Sequence, residues 1–261
     1  MKQRMKSLGC FLLGGLVLQA AGGREVARAA DAPFRYELPK SLTGTVYAAN
    51  SNLKRVLFKF TREMTRTGDK VKVIGDYTTP DGKLAAREVM VYEKDTLVLF
   101  ELEEFQIKTH GIVKLSQPAK KEAGWDFKYI SNNGAKTNVS TEPLRPDTLV
   151  GDMIGPFLVA HWSELMKGGD VKCRYIVPDR TETVGFKFAK HGETTYQGKP
   201  AVIIKMSASS FIIAALVDPL YFTLEKGGEH RVLQYDGRTT PMIKDANKWK
   251  ELDAVTVFDW N

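Results

Sequence analysis

From residue 55 onward the chain is built of short runs in which apolar and polar side chains alternate, recurring roughly every ten residues. That period-two pattern confines it to antiparallel β architectures. In residues 55–66 (RVLFKFTREMTR), Val56, Phe58, Phe60, Arg62, Met64 and Arg66 share one face. Leu57, Lys59, Thr61, Glu63 and Thr65 share the other. Residues 71–77, 85–92, 96–102, 105–115, 125–130 and 136–140 continue the series. Pro80-Asp81-Gly82, Glu93-Lys94-Asp95 and Ser131-Asn132-Asn133-Gly134 supply turns between them. Strands are predicted again at 170–177, 184–189, 201–207, 220–224, 231–235 and 255–260. Residues 207–217 are apolar nearly throughout and fit a short helix or a buried strand equally. Gly198 and Gly237 fit tight hairpin turns.

One segment breaks the alternation. Leu149, Val150, Met153, Ile154, Phe157, Leu158, His161, Trp162 and Leu165 recur at helical spacing. Asp147 is the expected N-cap, and Gly168-Gly169 the expected stop. Pro156 predicts a kink, or a helix that starts near it. The fold class read from these patterns is mainly β: a curved antiparallel sheet, as an open barrel or sandwich, crossed by one principal amphipathic helix at about 148–167.

The N-terminus reads as an export leader. Lys2, Arg4 and Lys6 precede an apolar run at 8–18, and Ala27-Arg28-Ala29 offers small residues for cleavage. The run is too short for a permanent membrane span. The division is therefore a cleaved signal peptide at 1–29 and a single β-rich domain at 30–261, placed in the periplasm or secreted. The leader holds five basic residues and one acid, so the formal charge of +7 falls to about +3 in the remainder. Charges of both signs are interspersed there, which excludes the dense basic patch of a nucleic-acid binder. Cys10 lies in the leader, leaving Cys173 as the lone thiol of the exported chain. It shares an alternating face with Val171, Tyr175 and Val177, and so reads as a buried small hydrophobe rather than a nucleophile.

Chemical motifs are sparse. His110, His161, His191 and His230 form no HExxH arrangement, and no cysteine pair completes a zinc site. His161, beside Trp162, reads as a boundary histidine. GxSxG, GxGxxG and phosphate-loop signatures are missing, so no catalytic, metal or cofactor residues are assigned. The more informative constellation is apolar excess. A helix laid across an incompletely closed sheet leaves a greasy groove, and Met153, Phe157, Trp162 and Phe211 are its expected lining. Arg238 is placed at its rim, while Arg174 and Arg180 are cations for a headgroup or for surface ion pairs.

Residues 145–240 carry a cadence of Trp162-Ser163-Glu164-Leu165, Lys167-Gly168-Gly169-Asp170, Arg180-Thr181-Glu182-Thr183 and Gly192-Glu193-Thr194-Thr195-Tyr196-Gln197-Gly198-Lys199-Pro200-Ala201. It closes on Arg231-Val232-Leu233-Gln234-Tyr235-Asp236-Gly237-Arg238. This resembles exported bacterial proteins of the domain of unknown function 3108 and, more loosely, the half-barrels of outer-membrane lipoprotein carriers. The resemblance implies a non-enzymatic envelope role with an apolar ligand or an envelope partner, and it brings no catalytic residues. The expectation is a periplasmic binding or carrier protein for a lipid or other amphiphile. The alternatives are an envelope assembly subunit that pairs by a strand edge and a glycan or lipid hydrolase with dispersed acids.

Overall fold

A computed structural model describes residues 39–116, 122–210 and 218–260. The expected leader at 1–29 and the ambiguous segment at 211–217, with Phe211, lie outside these. In chain order the strands are β1 (Ser41–Ala48), β2 (Val56–Thr67), β3 (Lys70–Thr78), β4 (Leu84–Glu93), β5 (Thr96–Glu104), β6 (Thr109–Ser116), β7 (Gly124–Ser131) and β8 (Lys136–Pro143). A two-residue strand, β9 (Thr148–Leu149), leads into helices α1 (Gly151–Ala160) and α2 (Trp162–Met166). There follow β10 (Val171–Val177), β11 (Glu182–Tyr196), β12 (Lys199–Ala208), β13 (Leu220–Glu225), β14 (Val232–Asp245) and β15 (Lys248–Asp259).

All fifteen strands belong to one curved sheet that is not closed, in the order β8 through β1, then β15 through β9. Apart from β8 and β9, which stand at opposite ends of that order, neighbours in sequence are neighbours in the sheet, so local hairpins build two meanders. The β1–β15 pair joins them, with Thr45 opposite Val257. Pairing is antiparallel except between β9 and β10, where the helices make the crossover that a parallel pair requires. No helix among the described residues is long and apolar enough to cross a membrane.

The alternation on β2 holds: Phe58 and Arg62 are buried, Phe60 and Met64 partly so, and Lys59, Thr61 and Glu63 are exposed. Turn chemistry acts as expected. Lys94 and Asp95 both adopt positive φ between β4 and β5, matching the twist of a two-residue hairpin. The Gln197-Gly198 turn between β11 and β12 does the same.

Several expectations are corrected. The predicted helix is two: the chain breaks at His161 (φ −101, ψ 14), not at Pro156. Pro156 is the sixth of the ten residues of α1, where it removes one backbone donor beyond the four that a helix start leaves unpaired in any case. Val150, not Asp147, is the N-cap, because Thr148 and Leu149 are drawn into β9 beside β10. Gly168 terminates α2 at φ +83 as expected, its N–H donating to Leu165 O at 3.0 Å. Strand β6 starts at Thr109, since residues 105–108 form the turn. Gly237 is no hairpin residue. It sits within β14 at φ +150, and a Cβ there would lie 2.5 Å from Leu220 Cδ2.

The core lies on the concave face. Met153, Ile154, Phe157 and Leu158 bury one side of α1 against the sheet, with Phe157 and Phe188 rings 5.8 Å apart. Each such side chain contributes about 1.5–3 kcal/mol on leaving water. Cys173 packs in the same core, and burial pushes its thiol up to about 12, so it is inert at neutral pH.

The two ends of the sheet approach each other across a side-chain seam. Ser140 Oγ on β8 donates to Thr181 O, and Glu142 Oε2 accepts from Thr183 N and Oγ1 at 2.9 and 2.6 Å. Arg174 Nε donates to the same threonine hydroxyl at 2.6 Å. The β8 edge is thereby tethered, and a strand added there would have to displace these bonds. Glu142→Ala removes the acceptor of a partly buried N–H and is expected to lower stability by about 1–3 kcal/mol. Denaturant titration checks this, and hydrogen exchange should show the β8 amides less protected.

Candidate functional site

Curling leaves a cavity of about 730 Å³ between the concave face and α1. The volume is within the usual range of small-molecule sites. Its walls come from nearly every strand, and most are apolar: Phe100 and Leu102 from β5, Phe186 from β11, Met206 from β12, Phe222 from β13 and Phe258 from β15 are examples. A shallower depression lined by His161, Ser163, Glu164 and Lys167 opens directly to solvent.

Strand register explains how polar groups enter this interior. On β4, Ala86, Glu88, Met90 and Tyr92 share the inward face, and Glu88 lies between Gly75 on β3 and Leu102 on β5. Glu104 is the diagonal neighbour two residues beyond Leu102 and therefore faces the same way. Strand β14 contributes by a bulge. Its register with β15 shifts between Thr239 and Ile243, so Thr240, Pro241 and Met242 face a single residue, Glu251. A bulge re-aims side chains, and this one reaches across the concave face. Thr240 Oγ1 donates to Glu88 Oε1 at 2.6 Å. Gln106, in the β5–β6 turn, takes both backbone groups of Met242, at 2.9 and 2.8 Å.

The titration of these groups follows from enclosure. Burial raises the Glu88 carboxyl above its ordinary range, opposed by the hydrogen bond from Thr240. Glu104 is raised by burial and by the charges of Asp179, Glu251 and Glu88, against the bond from Thr109 Oγ1 at 2.7 Å. Asp179 is raised chiefly by burial as well. Burial holds the hydroxyls of Tyr77, Tyr175 and Tyr235 in their protonated form. Surface retained by Tyr77, Glu88, Tyr175 and Tyr235 belongs to residues that line the cavity, so it is interior wall rather than outer face.

Near the start of α1 lies an ion pair. Arg62 Nε meets Asp152 Oδ1 at 2.5 Å, with side chains 2% and 5% exposed. Arg62 Nη1 donates to Pro39 O at 2.7 Å, and Tyr92 OH to Asp152 Oδ2 at 3.3 Å. Burial drives both partners toward neutrality, bringing the guanidinium down to about 10 and the carboxyl up. Direct contact opposes this for both. With Arg62 charged throughout the neutral range, the pair is held as guanidinium and carboxylate.

Of the expected groove residues, Met153 and Phe157 are buried in the core and do not line the cavity. Trp162 stacks on His230 with centroids 3.9 Å apart, and it too is outside the lining. Arg238 does line it, but its guanidinium is engaged by Glu251 and by Asp253 Oδ1 at 2.8 Å. Arg180 is at the wall with its Nε on Glu182 at 2.6 Å, and Arg174 is spent on the seam. Sequence reasoning passed over Glu88, and Glu104 reads there only as half of the adjacent acidic pair Glu103-Glu104. The signal available was a carboxylate interrupting an inward apolar face, as Arg62 does on β2.

Histidine, cysteine and lysine are missing from the lining, and no group of three potential metal ligands occurs among the described residues. What remains is a greasy chamber with enclosed carboxyls and phenols, suited to binding and, at Glu88 and Glu104, to proton transfer. Because the folded state holds the Glu88 proton more tightly than the unfolded chain, this residue costs stability as pH rises from the ordinary glutamate value through its raised one. Glu88→Gln is therefore expected to raise Tm at pH 8. The gain should shrink on acidification and vanish below about 4, as thermal melts across pH would show. No family model matches this chain, and no curated protein or solved structure matches it either.

Proposed function

We propose that this chain is a periplasmic, non-catalytic binding or carrier protein that holds one amphiphile of the cell envelope inside its curled sheet. The supporting observation is the cavity of about 730 Å³, apolar over most of its wall and polar at an enclosed patch around Glu88. Apolar walls accept a chain by the hydrophobic effect, and a few fixed polar groups orient one end. Export rests on the leader pattern at 1–29. A fluorescent hydrophobe should saturate at one per chain and be displaced by a long-chain alcohol. Gly75→Leu, which projects a side chain between Phe60 and Glu88, should abolish that binding while leaving the β circular dichroism spectrum intact. Unsaturable binding, unchanged by the substitution, would contradict the proposal.

A second reading has one observation in its favour. Two carboxyls with raised titration, diagonal neighbours in one cavity, are the kind of pair that hydrolases use for acid–base work. It predicts turnover of an envelope ester or glycoside that Glu88→Gln abolishes, whereas the carrier returns its occupant unchanged. The apolar lining favours the carrier, since a glycan site needs more hydrogen-bonding wall.

A further inference from the structure

Building on the carrier reading, we infer that the occupant is a cationic amphiphile, a long-chain primary amine whose ammonium group sits against Glu88. Five carboxyl groups line the cavity against three guanidiniums. Every one of those guanidiniums is already engaged: Arg62 by Asp152, Arg180 by Glu182, and Arg238 by Glu251 and Asp253. Glu88, Glu104 and Asp179, by contrast, form no ion pair among the described residues. An anionic headgroup entering here would meet surplus negative charge and no free cation.

The position of Glu88 sharpens the assignment. Oε1 accepts from Thr240, and no other hydrogen bond to this carboxylate is present among the described residues. An enclosed carboxylate with unused acceptor capacity is costly unless something donates to it. A primary ammonium brings three N–H donors. Around Glu88 the wall supplies further acceptors and ring faces. Tyr77, which packs on Phe60 with centroids 4.9 Å apart, and Tyr175 both lie close enough to feel the charge of Glu88, while Tyr235 packs on Phe222 at 5.0 Å elsewhere on the wall. Aromatic faces attract a cation and carry the adjoining methylenes equally well. The raised titration of Glu88 agrees, because an ammonium placed beside it would favour the carboxylate and offset the cost of burying it.

Isothermal titration calorimetry at neutral pH with n-dodecylammonium, n-dodecanol and n-dodecanoate, each below its aggregation threshold, tests this. Dodecylammonium should bind about tenfold or more tighter than the alcohol, about 1.4 kcal/mol, and dodecanoate most weakly. Glu88→Gln should erase the advantage of the amine while leaving affinity for the alcohol within about threefold, and its circular dichroism spectrum should match that of the parent chain. Equal binding of amine and alcohol, or tighter binding of dodecanoate, overturns the charge assignment and leaves the carrier reading standing. An amine preference that survives in Glu88→Gln overturns the role of Glu88. Failure of all three to bind overturns the carrier reading and this inference with it.

Discussion

Arg62→Met is expected to lower the unfolding free energy by about 3–5 kcal/mol, the largest effect of any single substitution considered. The guanidinium is 2% exposed and satisfies Asp152 and the Pro39 carbonyl together. Methionine fills similar volume, so the loss is mainly electrostatic: the Asp152 carboxyl stays buried at the start of α1, where the Tyr92 hydroxyl of β4 donates to it at 3.3 Å. Asp152 should then titrate far above the ordinary carboxylate range, and the variant should recover part of its stability as pH falls. Adding Asp152→Leu should restore most of the loss, because a well-packed apolar pair often equals a buried ion pair. Urea titrations of the parent, the single and the double variant give this cycle directly. A loss below about 1 kcal/mol in the single variant would mean that the pair is solvated rather than buried.

Gly237→Val is the second large effect, and it acts through shape rather than charge. At φ +150 the backbone occupies a region that L-residues avoid, costing about 1–3 kcal/mol. The new side chain would also collide with Leu220, whose Cα is 3.3 Å and Cδ2 2.5 Å from the added Cβ. Overpacking of that kind costs a further 1–3 kcal/mol or so. Leu220 is a wall residue of the cavity, so the damage extends to function. Expected is a loss of about 3 kcal/mol or more in denaturant titration, together with weakened hydrophobe binding under conditions where the variant is still folded. Gly198→Ala, in a hairpin turn with open space around it, should cost less.

These two sites also mark the boundary of what the sequence disclosed. Alternation and turn residues identify individual strands because both are local: Phe58, Phe60 and Arg62 point inward as their spacing requires, and Asp95 turns where expected. Strand β1 was not anticipated, although it joins the two meanders through β15. Its inward residues Leu42, Gly44 and Val46 gain meaning only from partners at the far end of the chain. The cavity is illegible for a related reason. It depends on sheet curvature, which no local pattern encodes, and on a bulge at Thr240–Met242, whose one local cue is Pro241. Aromatic and aliphatic richness at 149–165 was read as groove, whereas Met153 and Phe157 fill core, and Trp162 is covered by His230. Charged residues on apolar faces were the better guide. Arg62 and Glu88 each break a hydrophobic pattern, and both break it at the cavity.

The central claim is that the curled sheet carries an amphiphile. Native mass spectrometry of the protein purified from its own cells without detergent tests it most directly. The prediction is one adduct per chain, released on gentle activation and identified as a long-chain molecule with a basic nitrogen. A bare chain mass in every charge state, unchanged after incubation with dodecylammonium, would contradict it.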